Sequence, residues 1–467
     1  MKALHIAVSA FLLSSLLLPS HLLAEGNLFN QQTQGSLATG NIDSPAIGRQ
    51  LFRTIRRSSS LIEDPELTGW ISQLVNRLAV HAPGVSKTPY VAITRDPSVN
   101  AYALTGGIII VHSGLILSTQ TESELAAVLA HELAHLSQRH LTRMINDRKN
   151  SPLITGLGIL ASAAIASKSS EAAQAILSGT MAIQAQQQVS YSQHYESEAD
   201  RVGLRILTAA HFNPQGMPSF LEKLDKGETN AYGNLSKYLR SHPLSIDRLS
   251  DTRSRAGNIK TPVQESVDYL FAREKIRAIY QSGQNTGTPG IPAEVASYQQ
   301  ALQQFRRNNY NGVLKVLGTR SARLPVALLI AQSLNATRRF AEAERMLTPL
   351  QRQHPQNAAL TLILAQAVAG KGDRHYAWQL LNRLRPTANT GLEYFESAQH
   401  IAQQAGQYQE AVLYNAERNL RTGEYKYAQL ALEQVLRGNN PEHVKAKLQR
   451  KLNEVKMAKN ELNYLKK

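Results

Sequence analysis

The sequence predicts a mostly α protein of two units: an α+β unit over residues 25–280, then an all-α solenoid of tetratricopeptide type over residues 294–467. Three observations carry this. A chain of 467 residues exceeds what one hydrophobic core usually organises, so two folded units are expected. Aromatic residues make up only 6% of it while Ala, Leu and Gln are plentiful, which favours helix over strand. The third observation is internal repetition in the C-terminal half.

In chain order, "MKALHIAVSAFLLSSLLLPSHLLAEGN" joins a basic Lys2, an apolar run and a polar exit after Ala24. That layout predicts a secretory signal over residues 1–24. Pro19 and His21 interrupt the run, leaving it short of the ~20 apolar residues of a spanning helix, so no transmembrane anchor is expected in the mature chain. With no cysteine, a disulfide framework and a lipid anchor on the signal's end are both excluded. Export without cysteine fits a bacterial periplasm.

"TPYVAITRDP" and "GGIIIVH" are short β-rich runs bounded by Pro and Gly, so a small sheet is expected ahead of the central helices. Gly106 and Gly107 lead into Ile108–Val111, read as a strand whose edge could accept substrate backbone. The stretch "PLITGLGILASAAIAS", 152–167, is apolar but shorter than a membrane span; a helix lining or covering a cleft is expected there. Residues 281–293, "QSGQNTGTPGIPA", form a linker because Gly and Pro break regular structure.

Beyond it, "RRFAEAERML", "GDRHYAWQLL" and "GQYQEAVLYN" begin at Arg338, Gly372 and Gly406, a spacing of 34 residues that is the tetratricopeptide period. Ala343, Ala377 and Ala411 fall in register where helices must approach closely, and Leu347 and Leu381 follow as core positions. The flanking stretches from Asn308 and Gly423 read as atypical terminal repeats. Such a stack forms a groove for partners and carries no catalytic chemistry. Residues 294–467 hold 25 Lys+Arg against 13 Asp+Glu, most of the chain's net +16. No basic motif interleaved with aromatics is present, so no nucleic-acid partner is expected.

The chemistry lies in "ESELAAVLAHELAHLSQRH". Thr121 and Glu124 read as a capping box that starts a helix. His131 and His135, four apart, project from one face and can share a cation. Glu132 beside them is placed to take a proton from water. The extended zinc-protease pattern, with glycine at 138 and histidine at 141, fails because those positions hold Gln138 and Leu141. His140 is one place out of register and is read as structural. "YESEAD", 195–200, supplies the rest: Glu196 as third ligand, and Asp200, one turn later, to hold a ligating histidine's far nitrogen. His194 and Glu198 are read as solvated or salt-bridged.

HExxH followed by ExxxD, preceded by "NAYALTGGIIIVHSGLI", resembles the gluzincin family of zincin-type metalloproteases that includes the CAAX prenyl protease and HtpX-type membrane proteases. The resemblance implies one Zn2+ per chain on His131, His135 and Glu196, Glu132 as general base, and Asp200 as a supporting residue or proton donor. It also draws attention to "SHPLSIDR", 241–248: His242 would fill the open coordination position or stabilise the oxyanion, with Arg248 holding its loop. Members with a tetratricopeptide array imply work on misassembled outer-membrane β-barrel proteins beside the machinery that assembles them. Two activities are therefore expected to compete, endopeptidase and chaperone or assembly factor.

Overall fold

The structure, a computed structural model, describes residues 44–57, 60–147, 191–226, 236–260, 262–280 and 290–465. The expected signal, the 152–167 stretch and residues 281–289 of the expected linker lie outside the described residues.

Helices α1 (Pro45–Arg56) and α2 (Pro65–Ala79) open on proline, whose missing N–H is no loss in a first turn. Ser44 and Asp64 accept the free N–H groups there. Three strands follow: β1 (Tyr90–Thr94), β2 (Ala101–Leu104) and β3 (Ile108–His112). Their order is β1-β3-β2, with β3 parallel to β1 from Tyr90↔Ile108 and antiparallel to β2 from Ala101↔Val111. Gly106 and Gly107 take φ of 75° and 81° in the β2–β3 turn. A side chain at 106 would strike the backbone of Gly48, so glycine is needed for approach as well as conformation.

One expectation is overturned here. The Ile108–Val111 strand offers no edge, because both of its sides are paired. Its unbroken apolar run is the pattern of a central strand, buried at all five positions. The edge on the side of the central helix belongs to β2, whose "AYAL" has weak strand propensity and was not singled out.

Among the described residues, helices α3 (Ser113–Ser118), α4 (Glu122–Ser137), α5 (His140–Asp147), α6 (Gln193–Ala209), α7 (Gly216–Asp225), α8 (Ser236–Ser241), α9 (Ile246–Gly257) and α10 (Asp268–Tyr280) follow in this half. Thr121 caps α4 by accepting from Glu124 N, as expected. Buried from Glu122 to His135, α4 is the central post, packed by α2, α6, α7 and β2.

The C-terminal half is all-α: α11 (Ala293–Arg306), α12 (Tyr310–Leu317), α13 (Leu324–Ala336), α14 (Phe340–Gln353), α15 (Ala358–Gly370), α16 (Arg374–Arg383), α17 (Leu392–Gln404), α18 (Tyr408–Arg421), α19 (Tyr425–Leu436) and α20 (Glu442–Leu465). Consecutive helices pack against one another along the series. The repeat is visible in the backbone: Arg338, Gly372 and Gly406 all take positive φ two residues before α14, α16 and α18. Asn308 and Gly423 do the same before α12 and α19, so the weaker flanking stretches share the turn. Ala343, Ala377 and Ala411 are all buried.

The halves interlock. Arg56 donates to the carbonyls of Ala388 and Thr390 at 2.8 and 2.7 Å. Asn389 accepts from Val91 N and donates to Pro89 O at 3.1 and 2.9 Å, which covers the outer edge of β1. Helix α2 lies against α15 and α17, and α10 places Tyr269 in one core and Phe271 in the other. Among the described residues no helix is long and apolar enough to cross a membrane.

Candidate metal centre

Helix α4 supplies His131, Glu132 and His135, α6 supplies Glu196 and Asp200, the loop after α8 supplies His242 and α9 supplies Arg248. All seven, together with His140, are at most 3% exposed. Helix α6 reaches α4 closely because residue 203 is glycine: a Cβ there would lie 3.1 Å from His131 Cα. Gly203 follows Glu196 and Asp200 on the same face, so a methyl there would force the α4 backbone at His131 or α6 itself to give by a few tenths of an ångström. Sequence reasoning passed over it, although its spacing of seven from Glu196 places it on that face.

One atom each from His131, His135, Glu196 and His242 lies within 4.8 Å of the others. His135 Nε2 is 2.9 Å from His131 Nε2, which is 3.3 Å from His242 Nδ1. Glu196 Oε1 is 3.0 Å from His242 Nδ1 and 3.4 Å from His135 Nε2. A tetrahedral zinc site with bonds of about 2.0–2.1 Å separates its ligand atoms by roughly 3.3 Å, so the donor set fits such an ion.

Charge leads to the same place. Burial opposes a proton on His131, but Glu196 and Asp200 outweigh it and raise that ring to about 10. A field that holds a proton there also holds a cation. Burial disfavours the Glu196 carboxylate too, yet His242 and His131 keep it well below the usual carboxylate range. Burial drives the neighbouring Glu132 carboxyl up and His135 well down, toward the neutral ligand form. Glu196 Oε2 lies 2.8 Å from Arg248 Nη1 but makes no directed hydrogen bond, and neither does Glu132 Oε1. The Arg248 contact is therefore Coulombic, and lone pairs on both acids stay available.

The supports are hydrogen-bonded. His131 Nδ1 is 3.0 Å from Asp200 Oδ1. Arg248 donates through Nε and Nη2 to both Asp200 oxygens at 2.7 and 2.9 Å, and through Nη1 to Pro243 O at 2.7 Å. Ala103 N, on β2, donates to Glu132 Oε2 at 3.1 Å. Tyr191 stacks on His135 and Tyr238 on His242, with centroids 4.1 and 4.6 Å apart; nothing in the sequence had marked either ring. Glu198 is salt-bridged to Arg143 and His194 is exposed.

A helix-borne His-Glu-His set completed by a carboxylate from a second helix defines a class, the metallopeptidases. Residues 65–256 match Peptidase family M48. The beta-barrel assembly-enhancing protease of Yersinia pestis is 34% identical over 405 residues, covering 80% of this chain and 82% of that protein. Its namesake in Escherichia coli K12 is 35% identical over 352 residues, 72% of each chain. A mitochondrial metalloendopeptidase of Schizosaccharomyces pombe, OMA1, is 29% identical over 183 residues, 39% of this chain and 51% of its own. The chain belongs to peptidase family M48, as a metalloprotease similar over most of its length to the beta-barrel assembly-enhancing proteases.

Proposed function

We propose that this chain is a periplasmic zinc endopeptidase in quality control of outer-membrane β-barrel proteins, degrading misassembled ones and assisting assembly of others. The observation that carries the chemistry is the buried meeting of His131, His135 and Glu196 beside Glu132. The substrate class rests on the names of its relatives. In this reading residues 1–24 are a signal, 25–280 the peptidase, 281–293 a linker and 294–467 a tetratricopeptide array that meets the assembly machinery. Helix α2 already covers part of α15 and α17, so partners take the remaining surface of the array.

His131, His135 and Glu196 would hold one zinc ion. Bound there, zinc supplies a Lewis acid that polarises the scissile carbonyl and draws the pKa of water down toward about 7. Glu132 is the general base. Ala103 N–H occupies its Oε2, leaving Oε1 to take the water proton and pass it to the leaving amine. Asp200 keeps the His131 proton on Nδ1, and Arg248 fixes Asp200 and the 242–243 loop. Substrate backbone would lie along β2: Asn100 O accepts from His112 N, so strand alternation turns the N–H and C=O of Ala101 and the C=O of Ala103 outward, while the Ala103 N–H stays with Glu132.

His242 is assigned the fourth position. With Nδ1 3.0 Å from Glu196 and Nε2 3.4 Å from Glu132 Oε1, its ring sits against the free oxygen of the base and in this reading restrains the enzyme. His242→Ala should therefore raise peptidase activity, and unchanged activity would remove this role. The main test is degradation of an unfolded outer-membrane β-barrel precursor by wild type, chelator-treated wild type and Glu132→Gln. Cleavage should be lost in both controls, by about 10²–10⁴-fold for the variant, with precursor binding retained. Cleavage that persists in Glu132→Gln overturns the mechanism. Binding without cleavage in every sample, His242→Ala included, selects the chaperone reading.

A further inference from the structure

His140 adjoins the centre, is fully buried and has no part in the proposed reaction. Its position follows from a reversal of the chain. Helix α4 ends at Ser137, Arg139 takes a left-handed φ of 53°, and His140 opens α5 with its ring turned back against His135. The two Nδ1 atoms are 2.9 Å apart, the rings edge to face at 4.9 Å. Its other nitrogen, Nε2, is 3.2 Å from Glu198 Oε2, which Arg143 Nη1 holds at 2.9 Å.

The protons along this row are set from one end. His135 turns Nε2 toward the cluster, so as a ligand it carries its proton on Nδ1. His140 Nδ1 can then only accept, which leaves the single His140 proton on Nε2, facing Glu198. We infer that His140 and Glu198 form a positioning relay that fixes the orientation and tautomer of His135, running from His135 Nδ1–H to His140 Nδ1 and from His140 Nε2–H to Glu198 Oε2. The inference rests on the reading of His135 as a metal ligand.

The two α4 histidines are thus supported in different ways. His131 meets a carboxylate directly, and that carboxylate is buried and gripped by Arg248. His135 meets a neutral ring whose carboxylate lies farther out, with the Glu198 side chain 29% and Arg143 41% exposed. Partners of this kind set the orientation and basicity of a ligand and typically govern metal affinity by 10–100-fold. Losing Glu198 should weaken the hold on His135 less than losing His140, because the ring remains as acceptor.

The test uses the full chain freed of metal. Zinc affinity is measured by competition with a chromophoric chelator, and cobalt(II) is added separately to record its visible spectrum. His140→Leu should weaken zinc binding by about 10–100-fold and shift the cobalt spectrum. His140→Asn, whose Oδ1 can accept where Nδ1 did, should recover most of the affinity. Glu198→Ala, at a part-exposed site that does not endanger folding, should give a smaller loss than His140→Leu. Wild-type affinity and spectrum in His140→Leu overturn the relay, as do equal losses in the Leu and Asn variants. If Leu and Asn variants fail to fold, a Glu198→Ala protein indistinguishable from wild type overturns it. His135→Ala separates the two readings: zinc binding unchanged there removes the ligand assignment, while zinc lost there but kept in His140→Leu removes the relay alone.

Discussion

The buried cluster around α4 and the surface of the helical array use the same charged residue types in opposite solvents. Around α4, Glu132, Glu196, Asp200 and Arg248 are at most 3% exposed. Along the helical array, the side chains of Arg418–Glu396 are 34% and 47% exposed and those of Arg323–Glu294 are 40% and 47%. Distances hardly separate them: Arg418 approaches Glu396 to 2.8 Å, and Arg248 approaches Glu196 to 2.8 Å. What differs is water. Buried charges interact strongly but are costly unless every one is compensated, whereas exposed pairs are screened and worth little. A dry cluster of three carboxylates and three imidazoles in one cleft is the kind of site at which chemistry is sought.

The sharpest test of that contrast removes the cluster's arginine. Arg248 compensates Asp200 and approaches Glu196, and those contacts raise its pKa further despite burial. In Arg248→Met the two acids lose their permanent counter-charge. Urea unfolding of the chelator-treated full chain should show a loss of about 3–5 kcal/mol, and added zinc should restore part of it through binding to the folded state. A loss under about 1 kcal/mol, the range of exposed pairs, would break the comparison.

The same contrast explains how much was legible in the sequence. Periodic features came through because their signals are local: His131 and His135 share a face by helix geometry alone, and the three in-register alanines need only a constant spacing. Glu196, 61 positions beyond His135 in the sequence, was reachable through its own i, i+4 pairing with Asp200. What escaped depends on tertiary contact. The central placement of β3 is a pairing choice, the two stacked tyrosines come from stretches without a motif, and Gly203 matters only because α4 lies against it. His140 was read as structural, and its contact with His135 arises from the left-handed turn at Arg139, a conformation that an arginine does not announce.

An intermediate case lies at the end of the array. Glu417 on α18 takes Arg421 and, on α20, Lys451, with its side chain 19% exposed. Burial works against its charge, but Arg421 and Lys451 outweigh it and lower the carboxyl to about 2. A folded-state value below the ordinary one gives stability that is complete above about pH 5 and lost as pH falls toward 2. Glu417→Gln should cost roughly 1–3 kcal/mol at pH 7, and its unfolding midpoint should converge on that of wild type on acidification. A difference that does not shrink with pH would mean packing, not charge, is responsible.

The smallest effect is expected from Glu396→Gln, which opens the exposed pair with Arg418 between α17 and α18. Both partners are wetted, so glutamine leaves neither a buried charge nor an unmade bond. The change should be about 0.5 kcal/mol or less, and should vanish in 1 M salt, where charges are screened beyond about 3 Å. Glu396 and Glu417 each join α18 to a neighbouring helix, so the two variants differ chiefly in exposure. If Glu396→Gln matched Glu417→Gln in size and in salt response, exposure could not be what separates the halves. The stability of the array would then depend on the charge pairs of α18 irrespective of how far each is exposed.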